Sequence, residues 1–193
     1  MRQRLQYLTF RSRILWGLVA AILVGIGAYY WRCGCLVADP IEVYQPARDR
    51  EAVERLFEQN WYWLINVPYE AAMRVFAEDL DKAVSPMERK KPDAFKWLVF
   101  RQGGVLQGFT AYYVKSPGVG RIVFLAVDEH ARGKGCASRL IQRALNALSE
   151  AGCKTILILV RIENFRAQNL YRKFGFEAVK TDETFMYMER HSG

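Results

Sequence analysis

Histidine is nearly missing from this chain and cysteine is sparse, with two and four residues among 193. Each shortage removes a chemistry. A tetrahedral zinc site needs four ligands at short, regular spacings, and neither His130 nor His191 has cysteines placed that way, so no metal is expected. A disulfide scaffold is shorter and denser in cysteine. Cys136 and Cys153, far apart in the body of the chain, read as small buried hydrophobes. Also missing are a clustered basic stripe, internal repeats and low-complexity tracts. The net charge is +8, but Arg2, Arg4, Arg11 and Arg13 supply half of it within the first thirteen residues, where there is no acid. The rest carries too mild an excess for a nucleic-acid partner to be expected.

What is present begins with an uncharged run at residues 14–31, ILWGLVAAILVGIGAYYW. As a helix it is about 27 Å long, enough to cross a hydrocarbon core. Trp16 near one end and Tyr29, Tyr30 and Trp31 at the other suit the headgroup layers. The expectation is a single-pass membrane helix, or one lying in the interface, between a basic segment (1–13) and a connector (32–38). A cleaved signal peptide would have a shorter apolar region and a small-residue cleavage site. Cys33 and Cys35, just after the run, are candidates for palmitoylation. Four arginines precede the run and only Arg32 follows closely, which would leave the N-terminus in the cytoplasm and a crossing chain's domain on the far side.

Residues 39–193 read as one domain. Residues 41–44 alternate as a short strand. Asp49 can cap a helix with Val53, Leu56 and Phe57 on its apolar face, and after Pro68 a second helix carries Ala72, Val75, Phe76 and Leu80. Residues 85–93, charged and with two prolines, read as a loop. Residues 95–100 and 105–114 flank Gly103 and Gly104 as a hairpin, and 116–120 form another turn. Residues 122–127 have strand length. Beyond Gly133 and Gly135, the positions Ala137, Leu140, Ile141, Ala144, Leu145 and Leu148 mark one buried helix face, stopped near Gly152. Residues 155–160, TILILV, are apolar on both faces, as in a central parallel strand. The glycine turn thus lies between a strand and a helix.

First-turn amides of a helix lack intrahelical partners and carry the positive end of its dipole. With Gly133 and Gly135 allowing close approach and Arg132 and Lys134 nearby, the turn suits a phosphate or pyrophosphate; the alternative is a turn whose glycines serve conformation alone. A P-loop is excluded because Gly135 is followed by Cys136 and Ala137. A dinucleotide fingerprint is excluded because Ser138 holds its third glycine position and Arg161 stands where its acid belongs.

The pattern [QR]-x-x-G-x-[GA] is met by Arg132, Gly135 and Ala137, shortly after L-A-V-D. NFRAQNLYRKFGF follows at 164–176, where Asn164, Ala167, Leu170, Tyr171, Gly175 and Phe176 fit N-x-x-A-x-x-L-Y-x-x-x-G-F. Together these resemble the GNAT superfamily of coenzyme A-dependent N-acyltransferases. The resemblance implies an α/β fold: a mixed, mostly antiparallel sheet, splayed at a central parallel pair, with helices on both faces. It implies acetyl-CoA as co-substrate, its pantetheine arm beside Leu125, Ala126 and Val127, and its pyrophosphate on Arg132, Gly133, Lys134, Gly135, Cys136 and Ala137. Asn164 and Ala167 would lie on the opposite side, and Tyr171 would be the general acid. Family members often place a glutamate on the strand at 122–127, and this strand has none. Asp128, Glu129 and Glu58 stand as candidate bases, each otherwise a solvated acid, and a water chain would need none of them. By analogy Phe124 would line the cleft. Trp61, Tyr62, Trp63 and Tyr69 would form an acceptor pocket, rest on a membrane, or be ordinary core. The expected activity is membrane-anchored acetyl transfer from acetyl-CoA to an amine of a protein, peptide or small molecule. The rival readings are a coenzyme A-binding or sensing module without catalysis, and a membrane-tethered interaction protein.

Overall fold

Seven strands run through the described residues, and alternation of apolar residues along them sends side chains to two separate cores. The structure is a computed structural model that describes residues 39–82 and 95–191. In chain order the elements are β1 (Ile41–Val43), α1 (Pro46–Leu64), α2 (Tyr69–Lys82), β2 (Lys96–Gln102), β3 (Val105–Ser116), β4 (Val119–Val127), a 3-10 turn (Glu129–Ala131), α3 (Cys136–Glu150), β5 (Thr155–Arg161), α4 (Phe165–Lys173), β6 (Glu177–Thr181) and β7 (Phe185–His191). The strands form one sheet in the order β1-β2-β3-β4-β5-β7-β6. Every pairing is antiparallel except β4 with β5. The mixed sheet with one central parallel pair is the arrangement that the family resemblance implied.

On β2, Leu98 and Phe100 join Leu140, Ile141, Leu145 and Leu148 of α3, while Trp97 and Val99 join Val53, Leu56 and Phe57 of α1 and Phe76 of α2. The α1/α2 core is aromatic: Phe76 stacks on Phe57 at 3.7 Å between ring centroids and meets Trp97, Phe109 and Phe124 at 5.5–5.8 Å. Each such ring, fully buried, stabilises the fold by about 1.5–3 kcal/mol relative to exposure.

One irregularity in β4 opens the sheet. Ala111 faces Phe124 across the β3–β4 ladder, but the next residue, Tyr112, faces Ile122, so Val123 is an extra residue. A bulge of this kind bends the strand and disrupts the ladder. It also flips the alternation: Ile122 belongs to the α3 core, whereas Phe124 and Ala126 belong to the α1/α2 core. The parallel ladder to β5 runs from Val119↔Thr155 only as far as Ile122↔Ile158. Beyond that point β4 and β5 diverge.

Several expectations need adjustment. Asp49 does not precede its helix but sits inside its first turn, where its carboxylate accepts the Gln45 amide at 2.9 Å. It is fully buried and bound by Arg48 and by Arg101 of β2. Burial pushes its carboxyl pKa up, but the Arg48 hydrogen bond, the Gln45 amide and the two guanidinium charges outweigh that and hold it below the usual value. Strand β4 starts at Val119, because Pro117 and Gly118 complete the turn in two residues. Two strands without an expected counterpart, β6 and β7, complete the sheet.

The basic segment 1–13, the helix expected at 14–31, the connector 32–38 with Cys33 and Cys35, and the loop at 85–93 lie outside the described residues. Among the described residues no helix is long and apolar enough to cross a membrane. The longest, α1, spans 19 residues but carries seven charged side chains, from Arg48 to Glu58. The single-pass membrane localisation is therefore corrected: it rested on the composition of one run, and no helix among the described residues has the length and apolar character that a crossing needs.

Candidate active site

The divergence of β4 and β5 opens a cavity of about 750 Å³. Residues 123–127 of β4 form one wall and residues 158–160 of β5 another. The turn before α3 closes one end, α4 covers a side, and Asn60, Trp63 and Leu64 of α1 complete the rim.

The turn is shaped by its glycines. Gly133 and Gly135 have φ of +79° and +83°, the left-handed region that L side chains rarely adopt. Built Cβ atoms there would meet nothing within 4 Å, so the space above both residues is open. Gly135 is the N-cap of α3 and no side chain caps the helix. The first-turn amides of Cys136, Ala137 and Ser138 therefore have no intrahelical acceptor and border the cavity. Gly108 of β3 lets α3 start this close to the sheet: a Cβ there would lie 2.9 Å from Cys136 Sγ and 3.0 Å from the Ala126 carbonyl oxygen. Burial pushes the Cys136 thiol up to about 12, so it is a neutral packing group.

Arg132 spends its guanidinium on structure. It donates to the Asn60 side-chain oxygen at 2.9 Å and to the Val127 carbonyl at 3.2 Å, pinning the turn to α1 and to the end of β4. Asn60 in turn donates to the Leu56 carbonyl at 2.8 Å. The Val127 carbonyl, implied by the resemblance as a partner for a bound arm, thus already receives one hydrogen bond.

On the opposite side Asn164 is the N-cap of α4 and accepts the Ala167 amide at 3.1 Å. Buried Gln168 braces the preceding turn by donating to the carbonyls of Arg161 and Ile162. Tyr171, one helical turn past Ala167, is buried and borders the cavity. Its ring meets Phe176 edge-on at 6.0 Å. Burial raises its pKa well above the ordinary tyrosine value, so the hydroxyl keeps its proton.

The cavity gathers Leu125, Ala126, Val127, Arg132, Gly133, Gly135, Cys136, Ala137, Asn164, Ala167 and Tyr171. Phe124 also borders it, while Lys134 does not. None of the three candidate bases borders it either. Asp128 caps the 3-10 turn by accepting the His130 amide at 2.9 Å, exposed Glu129 lies 3.5 Å from His130, and Glu58 accepts the Tyr69 hydroxyl. Among the described residues the one carboxylate on the wall is Glu163, which sequence reasoning missed. Its residue type and position carry no periodic signal, and only the fold shows that it faces the opening. The aromatic run divides: Trp61 is half-buried against the α1/α2 core, Tyr62 and Trp63 are each 41% exposed, and Trp63 alone of the four borders the cavity.

A sequence model of the Acetyltransferase (GNAT) family matches residues 50–176, well over half of the chain. A mycothiol acetyltransferase of Mycobacteroides abscessus is 31% identical over 86 residues, 44% of this chain and 29% of that protein. The N-alpha-acetyltransferase MAK3 of Arabidopsis thaliana is 38% identical over 61 residues, 32% of each chain. The chain thus spans about a third of the length of these curated relatives. Among solved structures, PaiA N-acetyltransferase from Thermoplasma acidophilum, in complex with coenzyme A, shares the fold. Its TM-score is 0.65 at 18% identity, covering 79% of this chain and 99% of that one.

Proposed function

The chain belongs to the GNAT acetyltransferase family, and on that premise we propose that it transfers an acetyl group from acetyl-CoA directly to an amine acceptor. The observation that carries this reading is the cavity itself. A bulge at Val123 ends the β4–β5 ladder, and the space so opened is bordered at one end by unpaired helix amides and along one side by a protonated tyrosine. The volume and the excess of Arg132, Arg166 and Lys173 over Glu163 on the wall fit an elongated anionic donor.

In this reading the amides of Gly133, Gly135, Cys136, Ala137 and Ser138 hold the diphosphate of the donor, where the helix dipole adds to their hydrogen bonds. The diverging strands take the pantetheine arm, with Leu125, Ala126 and Val127 on one side and Asn164 and Ala167 on the other. The donor supplies an acyl group activated as a thioester. Tyr171 keeps its proton and offers it, as a hydrogen bond, to the sulfur as negative charge develops there. A thiolate (conjugate acid pKa about 8.5) is a weaker base than an ordinary tyrosinate (about 10), so full transfer is uphill by roughly 2 kcal/mol in water, and burial of Tyr171 adds to that. A fixed hydrogen bond to the developing charge is the larger contribution. The acceptor must arrive with a free lone pair. For an amine of pKa about 10.4 this costs roughly 4 kcal/mol at pH 7.4, which favours amines of lower pKa, peptide α-amines among them. The similarity to N-alpha-acetyltransferases and to mycothiol acetyltransferases supports testing both peptide and small-molecule amines.

The test is thiol release from acetyl-CoA in the presence of peptides with free α-amino groups and of small primary amines. Amine-dependent release is expected, with Tyr171→Phe lowering turnover at least tenfold while coenzyme A affinity stays within about twofold. Binding of coenzyme A without release toward any amine would make the protein a coenzyme A-binding module instead of an enzyme. Unchanged turnover in Tyr171→Phe would remove Tyr171 from the mechanism.

A further inference from the structure

Arg161, the last residue of β5, is 8% exposed, and no carboxylate among the described residues pairs with it. A buried cation with no counter-ion is costly unless its protons are otherwise satisfied, so its partners matter. The guanidinium donates to the carbonyls of Tyr62 and Ile65, the latter at 3.3 Å, and lies 3.5 Å from the side-chain oxygen of Asn66. It also lies 4.0 Å from the Tyr62 ring centroid and 5.3 Å from that of Phe185 on β7. Helix α1 ends at Leu64 with no basic residue in its last turn, where unpaired carbonyls and the negative end of the dipole call for a cation. Arg161 supplies it from across the sheet.

We propose that Arg161 is a positioning residue for the acceptor: it fastens the end of α1 to the end of β5 that has parted from β4 and thereby sets the acceptor-side wall of the cavity. Beyond Ile158, β5 has no β4 partner, so the separation of the two strands is maintained by what β5 holds on other sides. Two residues past Arg161, Glu163 accepts the Tyr62 hydroxyl at 3.0 Å. Tyr62 is thus held at both ends, by a cation on its ring and a carboxylate at its hydroxyl. Trp63 packs edge-on to Tyr62 at 5.0 Å and borders the cavity with Glu163. The wall so fixed pairs an aromatic face with a carboxylate, the one that borders the cavity among the described residues, which suits an amine acceptor bearing N–H donors. This inference rests on the acetyltransferase reading above.

The test compares wild type, Arg161→Gln, Arg161→Lys and Tyr62→Phe. The probes are coenzyme A in calorimetry, amide hydrogen exchange over residues 60–69, and initial rates with acetyl-CoA and a short peptide bearing a free α-amine. Losing hydrogen bonds from a charged donor predicts at least about tenfold faster exchange across 62–66 in Arg161→Gln, a KM for the peptide raised severalfold, and a coenzyme A Kd within twofold of wild type. Arg161→Lys should recover part of both effects, and Tyr62→Phe should raise KM with little change in exchange. Wild-type exchange and KM in Arg161→Gln would overturn the proposal, as would a loss of coenzyme A affinity equal to the rise in KM. If Arg161→Gln does not fold, Arg161→Lys and Tyr62→Phe carry the same comparison. A wild type that binds coenzyme A but acetylates no amine would overturn the functional reading, while exchange alone would still decide whether Arg161 holds the α1 wall.

Discussion

The α3 side of the sheet and the α1/α2 side border the same cavity but are constructed from different parts of the chain's chemistry. On the α3 side the proposed donor site is mostly backbone: left-handed glycines, first-turn amides and a strand freed from its ladder. On the α1/α2 side the wall is made of side chains, a cluster of five stacked and tilted rings below and polar anchors above. A site made of backbone tolerates change at most positions and none at a few. One made of packed side chains spreads its dependence over many residues and leaves room for a different acceptor.

Perturbations of the two sides should therefore separate stability from donor affinity. Phe76→Ala removes the ring at the centre of the aromatic cluster and is expected to cost about 3–5 kcal/mol, read as a lower denaturation midpoint. Asp49→Asn is expected to cost about 2 kcal/mol by weakening the tie between the start of α1, Arg48 and Arg101. Because the native carboxyl pKa is depressed, that stabilisation is present above the ordinary aspartate pKa and is lost as pH falls through the native value. The variant should thus show a flatter acid limb in chemical denaturation. Gly135→Ala forces a side chain into the left-handed region at about 1–2 kcal/mol, and its Cβ enters the open space above the turn. A drop in coenzyme A affinity of more than tenfold is expected, larger than the loss of stability alone implies. Were Gly135→Ala to leave that affinity intact while Phe76→Ala abolished it, the division between the two sides would fail.

The smallest expected effects concern pH at the alkaline end. The Cys136 thiol, pushed up to about 12 by burial, ionises more easily in the unfolded chain. Its contribution is complete below the ordinary thiol pKa near 9 and declines as pH rises toward 12, so Cys136→Ala should flatten the alkaline slope of stability. Tyr171 is raised as well. Turnover should accordingly climb with pH as the amine loses its proton and show no fall near pH 10 of Tyr171's making.

The same contrast explains what could be read from sequence. The glycine turn and the NFRAQNLYRKFGF segment are short and contiguous, since amides and a helix cap require particular residue types at fixed spacing. The element pattern from β1 to β5 followed from apolar periodicity and turn residues, and TILILV marked the central strand. Strands β6 and β7 left no such trace: every residue of Glu177–Thr181 is exposed, and β7 buries only Met188. The bulge at Val123 has no signature in IVFLAV, because it is a property of pairing with β3. Arg161 and Glu163 sit next to motif residues, but their role depends on where α1 ends about a hundred positions earlier. The apolar run at 14–31, a strong compositional signal, lies outside the described residues.

The central claim is that unpaired amides at the mouth of the diverging strands hold the diphosphate of the donor. Calorimetric titration of the wild-type protein with coenzyme A and, separately, with pantetheine, which lacks the diphosphate, tests it most directly. The account predicts saturable one-to-one binding of coenzyme A and at least hundredfold weaker binding of pantetheine. Equal affinity for the two, or no binding of coenzyme A, would contradict it.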